Sequence, residues 1–124
     1  MSIKIDKLTI YVDSQEDAKT FWTDKIGFSL IADEPMGSDA RWIEISPQDG
    51  SDCTTLVLYS KKMMAEQSPE SIAHPSIMFS SVDIDFFWNS LQEKGVEVSE
   101  LQESASGKIF DFRDNEGNPY MVRG

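Results

Sequence analysis

The sequence predicts an α+β protein built from two β-α-β-β-β modules, and three observations carry that expectation. Alternating and helically spaced apolar residues follow one another in the same order in both halves of the chain. Each helical stripe closes on a glycine soon after a lysine, Lys25 before Gly27 and Lys94 before Gly95. Between the halves lies a stretch containing Pro69 and Pro75, which reads as a connection. With 124 residues, 40% apolar and 27% charged, the chain has the size and balance of a single folded domain.

In the first half, Leu8, Ile10 and Val12 share one face of a strand, while Lys7, Thr9 and Tyr11 share the other. Ser14, with Asp17 three positions on, starts a helix whose stripe of Ala18, Phe21, Trp22 and Ile26 suits packing on a sheet. A second strand is expected over 28–33, a loop over 34–38, a third strand over 41–46, a turn over 47–52 and a fourth strand over 54–59. Residues 60–75 read as a surface connection with a short helical turn over 61–67. The second half repeats the order. A strand over 76–82 leads to a helix capped by Asp83 or Asp85 with the stripe Ile84, Phe87, Trp88 and Leu91. Strands over 96–101, 108–113 and 119–123 follow, with a loop over 103–107 and a turn over 114–118. The expected boundaries are 4–60 for the first module, 61–75 for the connection and 76–124 for the second, all within one domain spanning 1–124.

Charge and cysteine count exclude several functions. Eleven Lys and Arg against 22 Asp and Glu give a net charge of −11, which disfavours nucleic acid and anionic membranes as partners. One histidine excludes a metal site built from two or three histidines of one chain. Cys53 is the only cysteine, so no intrachain disulfide forms. No apolar run is long enough to span a bilayer, and the first residues do not read as a signal peptide, so a cytoplasmic location is expected.

The chain resembles the vicinal oxygen chelate superfamily, which includes glyoxalases, bleomycin-resistance proteins and extradiol dioxygenases. The likeness is carried by Ile10-Tyr11-Val12 leading to Ala18 and Phe21-Trp22, then Asp24-Lys25-Ile26-Gly27-Phe28. In the second half it is carried by Val82-Asp83-Ile84-Asp85, Leu91, Lys94-Gly95-Val96 and the closing Phe112-Arg113-Asp114-Asn115-Glu116-Gly117-Asn118. Arg41 through Pro47 also resembles an uncharacterised bacterial glyoxalase-like subgroup. The resemblance implies a curved mixed sheet that encloses a cavity. In enzymatic members that cavity holds a divalent ion on His or Glu ligands. Here the ligand positions fall on Lys7, near Leu56, near Ser76 and on Met121, none of them a good ligand for a hard metal. His74 and Glu44 are the remaining metal candidates, His74 only through a shift of register. Neither a metal nor another cofactor is therefore expected.

Strand parity and the resemblance together suggest a binding surface. If Lys7 faces inward, so does Tyr11, and Met121 comes to the corresponding face of the second half. On the third strand either Arg41 and Ile43 or Trp42 and Glu44 face the cavity, and the resemblance favours the second pair. Phe110 and Phe112 share a face of the seventh strand. The expected ligand-binding set is Lys7, Tyr11, Trp42, Glu44, Phe110, Phe112 and Met121. Trp42 and Phe110 are equally compatible with ordinary core, and Lys7 with a structural ion pair to Glu44. Such a lining suits an organic molecule with an apolar body and a polar handle, a cation included. The expected function is binding or sequestering a small organic molecule without a metal, by a homodimer in the manner of bleomycin-resistance proteins. The alternative is a divalent-metal-dependent lyase, isomerase or dioxygenase of the same superfamily.

Overall fold

Alternation along Lys7–Val12 forms strand β1, with Ile10 and Val12 buried on one face and Thr9 and Tyr11 half-buried on the other. The computed structural model describes residues 3–37, 40–47 and 53–124, and its packing divides the chain into two units, Met1–Pro75 and Ser76–Gly124. Ser38 and the turn residues 48–52 lie outside the described residues.

In the first unit, Ser14 caps helix α1 (Gln15–Thr20) by accepting from the Asp17 amide at 3.2 Å. The helix widens into a π turn at Phe21–Ile26 and stops at Gly27, whose φ of 91° is a left-handed conformation that favours glycine. The Gly27 and Phe28 amides both donate to the Trp22 carbonyl, closing the helix end. Strands β2 (Ser29–Met36), β3 (Ala40–Ser46) and β4 (Thr55–Ser60) complete a sheet in the order β1-β4-β3-β2, parallel only between β1 and β4. Ile10, Ile43, Ile45, Leu56 and Leu58 lie buried on one side of this sheet. Phe21, Trp22 and Ile26 are buried with them, as the apolar stripe of the helix requires.

The loop expected over 34–38 is instead strand as far as Met36, with Glu34, Pro35 and Met36 paired to Trp42, Arg41 and Ala40. Because β2 is an edge strand, the missing N–H of Pro35 leaves no gap in the ladder. Asp33 on this strand receives Arg41 Nε at 3.0 Å and Lys19 Nζ at 2.7 Å, tying α1 to the β2–β3 hairpin. Hydrogen bonds from Arg41 and then Lys19 hold its carboxyl down at about 2.

The ladder between β3 and β4 runs only from Ile43–Leu58 to Ile45–Leu56. Beyond it the Gln15 side chain takes over. Its Nε2 donates to the Arg41 carbonyl at 2.6 Å and the Leu58 carbonyl at 2.8 Å, while its Oε1 accepts from the Arg41 amide at 3.1 Å. Gln15→Ala is expected to cost about 2 kcal/mol, since three partly buried main-chain groups lose their partner. Urea unfolding checks this; a loss below about 0.5 kcal/mol would show that water replaces the amide at no cost.

Helix α2 (Lys61–Gln67) follows, capped by Ser60 and with no buried residue, and then a 3-10 turn at Pro69–Ser71. The second unit contains β5 (Met78–Ser80), α3 (Ile84–Glu93), β6 (Gln102–Ser104), β7 (Gly107–Arg113) and β8 (Pro119–Arg123). Its sheet order, β5-β8-β7-β6 with β5 and β8 parallel, repeats that of the first unit strand for strand. The two βαβββ modules of an α+β fold are thus present. Asp83 caps α3 by accepting from the Phe86 amide. Ile84 and Leu91 are buried, as are Phe110, Phe112, Tyr120 and Val122.

The strand expected over 96–101 is displaced to Gln102–Ser104. Within 96–101 only Val98 forms a bridge, to Phe112. The Ser99 carbonyl is taken by Trp88 Nε1 at 2.9 Å, and its hydroxyl accepts the Asp111 amide at 2.9 Å. A helix tryptophan and a serine side chain thus interrupt the ladder that the alternation of Val96 and Val98 suggested. Among the described residues no helix is long and apolar enough to cross a membrane.

Candidate functional site

The face of the first sheet that carries Thr9 and Tyr11 holds a cavity of about 180 Å³. β1 supplies Thr9 and Tyr11, β4 supplies Val57 and Tyr59, and β3 supplies Trp42. Met36 at the end of β2 and Met64 on α2 complete the wall. The pairing explains the grouping: Thr9 lies opposite Val57 and Tyr11 opposite Tyr59, so their side chains share one face. The Tyr11 and Tyr59 rings meet edge to face, with centroids 6.5 Å apart and planes at 79°. This wall is aromatic and thioether surface with one hydroxyl from a threonine and two from tyrosines, and among the described residues no charged side chain contributes to it.

Charge is concentrated beside it. Glu44, two residues from Trp42 and on the same face, is only 8% exposed. Its Oε2 accepts from Lys7 Nζ at 2.7 Å and from Thr55 Oγ1 at 2.8 Å, while its Oε1 accepts from Trp42 Nε1 at 3.2 Å. Burial works to raise the Glu44 carboxyl, but the hydrogen bonds from Lys7, Thr55 and Trp42 outweigh it and hold the group below the ordinary range. The hydrogen bond to Glu44 raises Lys7 above the usual lysine value, with burial opposing. Both groups are therefore charged at neutral pH. The carboxylate is also nearly saturated, with three donors on its roughly four lone-pair positions.

Of the residues expected at a site, Lys7, Tyr11, Trp42 and Glu44 come together in the first unit. Met121 lies in the second, on the outward face of β8 opposite Met78, where it lines a shallow cavity of about 260 Å³ with Ile109 and Asp111. Phe110 adds to the wall of that cavity, but its ring packs toward Phe87 with centroids 6.1 Å apart, and it is 2% exposed. Phe112 stacks on Tyr120 and Phe79 within the core of the second unit. His74 is half-buried in the connection. Met36, Thr55, Tyr59 and Met64 were not among the residues singled out from the sequence, and Thr9 was placed on the face of Lys7 and Tyr11 without being named as a binding residue. For Thr9 and Tyr59 strand parity was a usable signal. Met36 comes from a strand extension that no local pattern announces, and Met64 from the helical turn expected over 61–67, whose packing beside β1 and β4 no local pattern shows.

The divalent ion of enzymatic superfamily members does not fit the residues present. Lys7 is an ammonium already ion-paired to Glu44, and Met121 is a soft thioether. Leu56 is buried on the opposite face of β4, and the residue facing Lys7 across the ladder is Thr55. Among the described residues no three His, Cys, Asp or Glu side chains are grouped to hold a metal ion.

Two repeated βαβββ modules, with aromatic and methionine side chains on an open sheet face, define a protein of the vicinal oxygen chelate class. The chain belongs to the glyoxalase/bleomycin resistance protein/dioxygenase superfamily, whose model matches residues 4–122. It is 36% identical over 123 residues to the uncharacterized protein YetH of Bacillus subtilis (strain 168), covering 97% of both chains. Among solved structures it is similar to TnmS3, described as an antibiotic binding protein from Streptomyces sp. CB03234. That similarity has a TM-score of 0.80 and 30% identity, and covers 99% of this chain and 97% of TnmS3. A glyoxalase/bleomycin resistance protein from the same Streptomyces strain is also 30% identical, with a TM-score of 0.77 and coverage of 98% of this chain and 100% of that one.

Proposed function

We propose that the protein binds and sequesters a small organic molecule with a planar apolar body, without a metal, as a cytoplasmic homodimer. The observation that carries this is the cavity of about 180 Å³ walled by Tyr11, Trp42, Tyr59 and two methionines. Cavities of that size take a single aromatic ring, and methionines adapt their shape to what they enclose. The likeness to TnmS3, a protein described as antibiotic binding, supports sequestration over turnover. Met36, Met78 and Met121 are exposed apolar side chains on the sheets, a feature that suits a second chain as cover.

The test is a titration of isotope-labelled protein with single-ring aromatic compounds, followed by NMR. Shifts are expected at the Tyr11, Tyr59 and Met64 signals and at the Trp42 indole N–H. Trp42→Ala is expected to weaken binding about tenfold, because the largest flat surface of the wall is removed. Shifts confined to residues 76–124, or binding unchanged in Trp42→Ala, would overturn the assignment of this cavity.

A further inference from the structure

Beside the aromatic cavity stands one positive and one negative side chain, and they differ in what they have left to offer a ligand. The Glu44 carboxylate accepts from Lys7, Thr55 and Trp42 and is 8% exposed. A cationic ligand would have to displace the Lys7 ammonium and exchange one ion pair for another. Lys7 is in the opposite position. Its ammonium has three N–H groups, and among the described residues only Glu44 takes one at hydrogen-bond distance, the Asp6 carboxylate standing 3.6 Å away. The Lys7 side chain is 37% exposed, so solvent and small solutes reach it. The same Glu44 carboxylate accepts from this ammonium and from the Trp42 indole N–H, which ties Lys7 to the ring that forms the flat wall of the cavity.

We infer that the polar handle of the ligand is a hydrogen-bond acceptor, a carbonyl or phenolic oxygen on the planar body, held by the Lys7 ammonium while Glu44 fixes that ammonium in place. This rests on the proposed small-molecule function and reverses the sign of the handle that the net charge of −11 suggests. The net charge acts against a fully anionic ligand, so a neutral acceptor oxygen is the chemistry that satisfies both the local donor and the global field.

Three probes of matched shape separate the possibilities: acetophenone with an acceptor oxygen, ethylbenzene with none, and benzylammonium with a positive charge. Affinities are read from the Trp42 indole signal. Acetophenone is expected to bind about tenfold more tightly than either of the others, the usual return on a hydrogen bond to a charged donor. Because Lys7→Met alone would strand the buried carboxylate, the comparison uses Lys7→Met combined with Glu44→Gln. In that double variant the preference for acetophenone over ethylbenzene is expected to vanish, whatever the absolute affinity for ethylbenzene; a preference that survives would overturn the role of Lys7. Equal binding of acetophenone and ethylbenzene by the unaltered protein, or a preference for benzylammonium, would overturn the role of Lys7 and leave the aromatic cavity standing. Failure of all three to bind would overturn the small-molecule function itself, and the handle with it.

Discussion

Asp114→Ala is expected to destabilise the protein by about 3 kcal/mol, a large fraction of the stability of a domain of this size. Asp114 is 8% exposed, and its carboxylate organises the turn between β7 and β8. Oδ1 accepts from the Glu116 amide at 2.9 Å and the Asn118 amide at 3.0 Å. Oδ2 accepts from Asn118 Nδ2 at 3.2 Å and from the Tyr120 hydroxyl at 2.8 Å. Alanine leaves four donors without this acceptor, and the Tyr120 hydroxyl, buried in the core of the second unit, has the least access to water. Burial, and next the Asp114 charge, push the Tyr120 hydroxyl far above its ordinary value, so it remains a donor throughout the accessible pH range. Tyr120→Phe removes one of the four bonds and should cost about 1 kcal/mol. Denaturant unfolding with amide exchange read over 107–123 checks both. If Asp114→Ala shifted the midpoint no more than Tyr120→Phe, the shared acceptor would not be what holds the turn.

The second large effect is expected at the site. Glu44→Ala removes the acceptor shared by Lys7, Thr55 and Trp42 and is expected to cost about 2 kcal/mol, with loss of the fixed Trp42 indole geometry. The pH dependence has a definite sign. The Glu44 carboxyl lies below its ordinary value in the folded chain, so its contribution is complete above the unfolded carboxyl value of about 4.3 and fades as pH falls through the folded one. Lys7 lies above its ordinary value, so its contribution is complete below the unfolded value of about 10.4 and fades as pH rises through the folded one. The pair therefore stabilises fully from about pH 5 to pH 10. Unfolding free energies of the unaltered protein and Glu44→Gln, measured from pH 3 to pH 8, should differ most near neutrality and converge in acid. A constant difference across that range would show that the carboxylate charge contributes nothing.

Much of the fold is legible in local pattern because its signals are local. The faces of β1 follow from alternation between Lys7 and Val12, and the ends of the first and third helices follow from Gly27 and Gly95, both at positive φ. The duplication is visible because each module needs the same order of periodicities to bury its helix on its sheet. What failed to show are features set by partners distant in sequence. Strand β2 runs on through Pro35 because it lies at an edge, a fact about the sheet and not about residues 34–36. The strand expected over 96–101 yields to the hydrogen bond between Trp88 and the Ser99 carbonyl.

The same division runs through the site. Lys7, Tyr11, Trp42 and Glu44 were identifiable by residue type and parity, and the poor fit of Lys7 and Met121 to a metal follows from chemistry alone. Register is another matter. A shift of one residue on β4 exchanges Leu56 for Thr55, and only the pairing of Lys7 with Thr55 shows which of them accompanies Glu44. The amino-acid sequence by itself determined the two βαβββ modules, the acidic charge and the residue types beside the cavity. Tertiary structure alone decided that one Glu44 carboxylate accepts from Lys7, Thr55 and Trp42 together. Hydrogen-bond capacity belongs to a residue, but its allocation depends on which strands lie side by side.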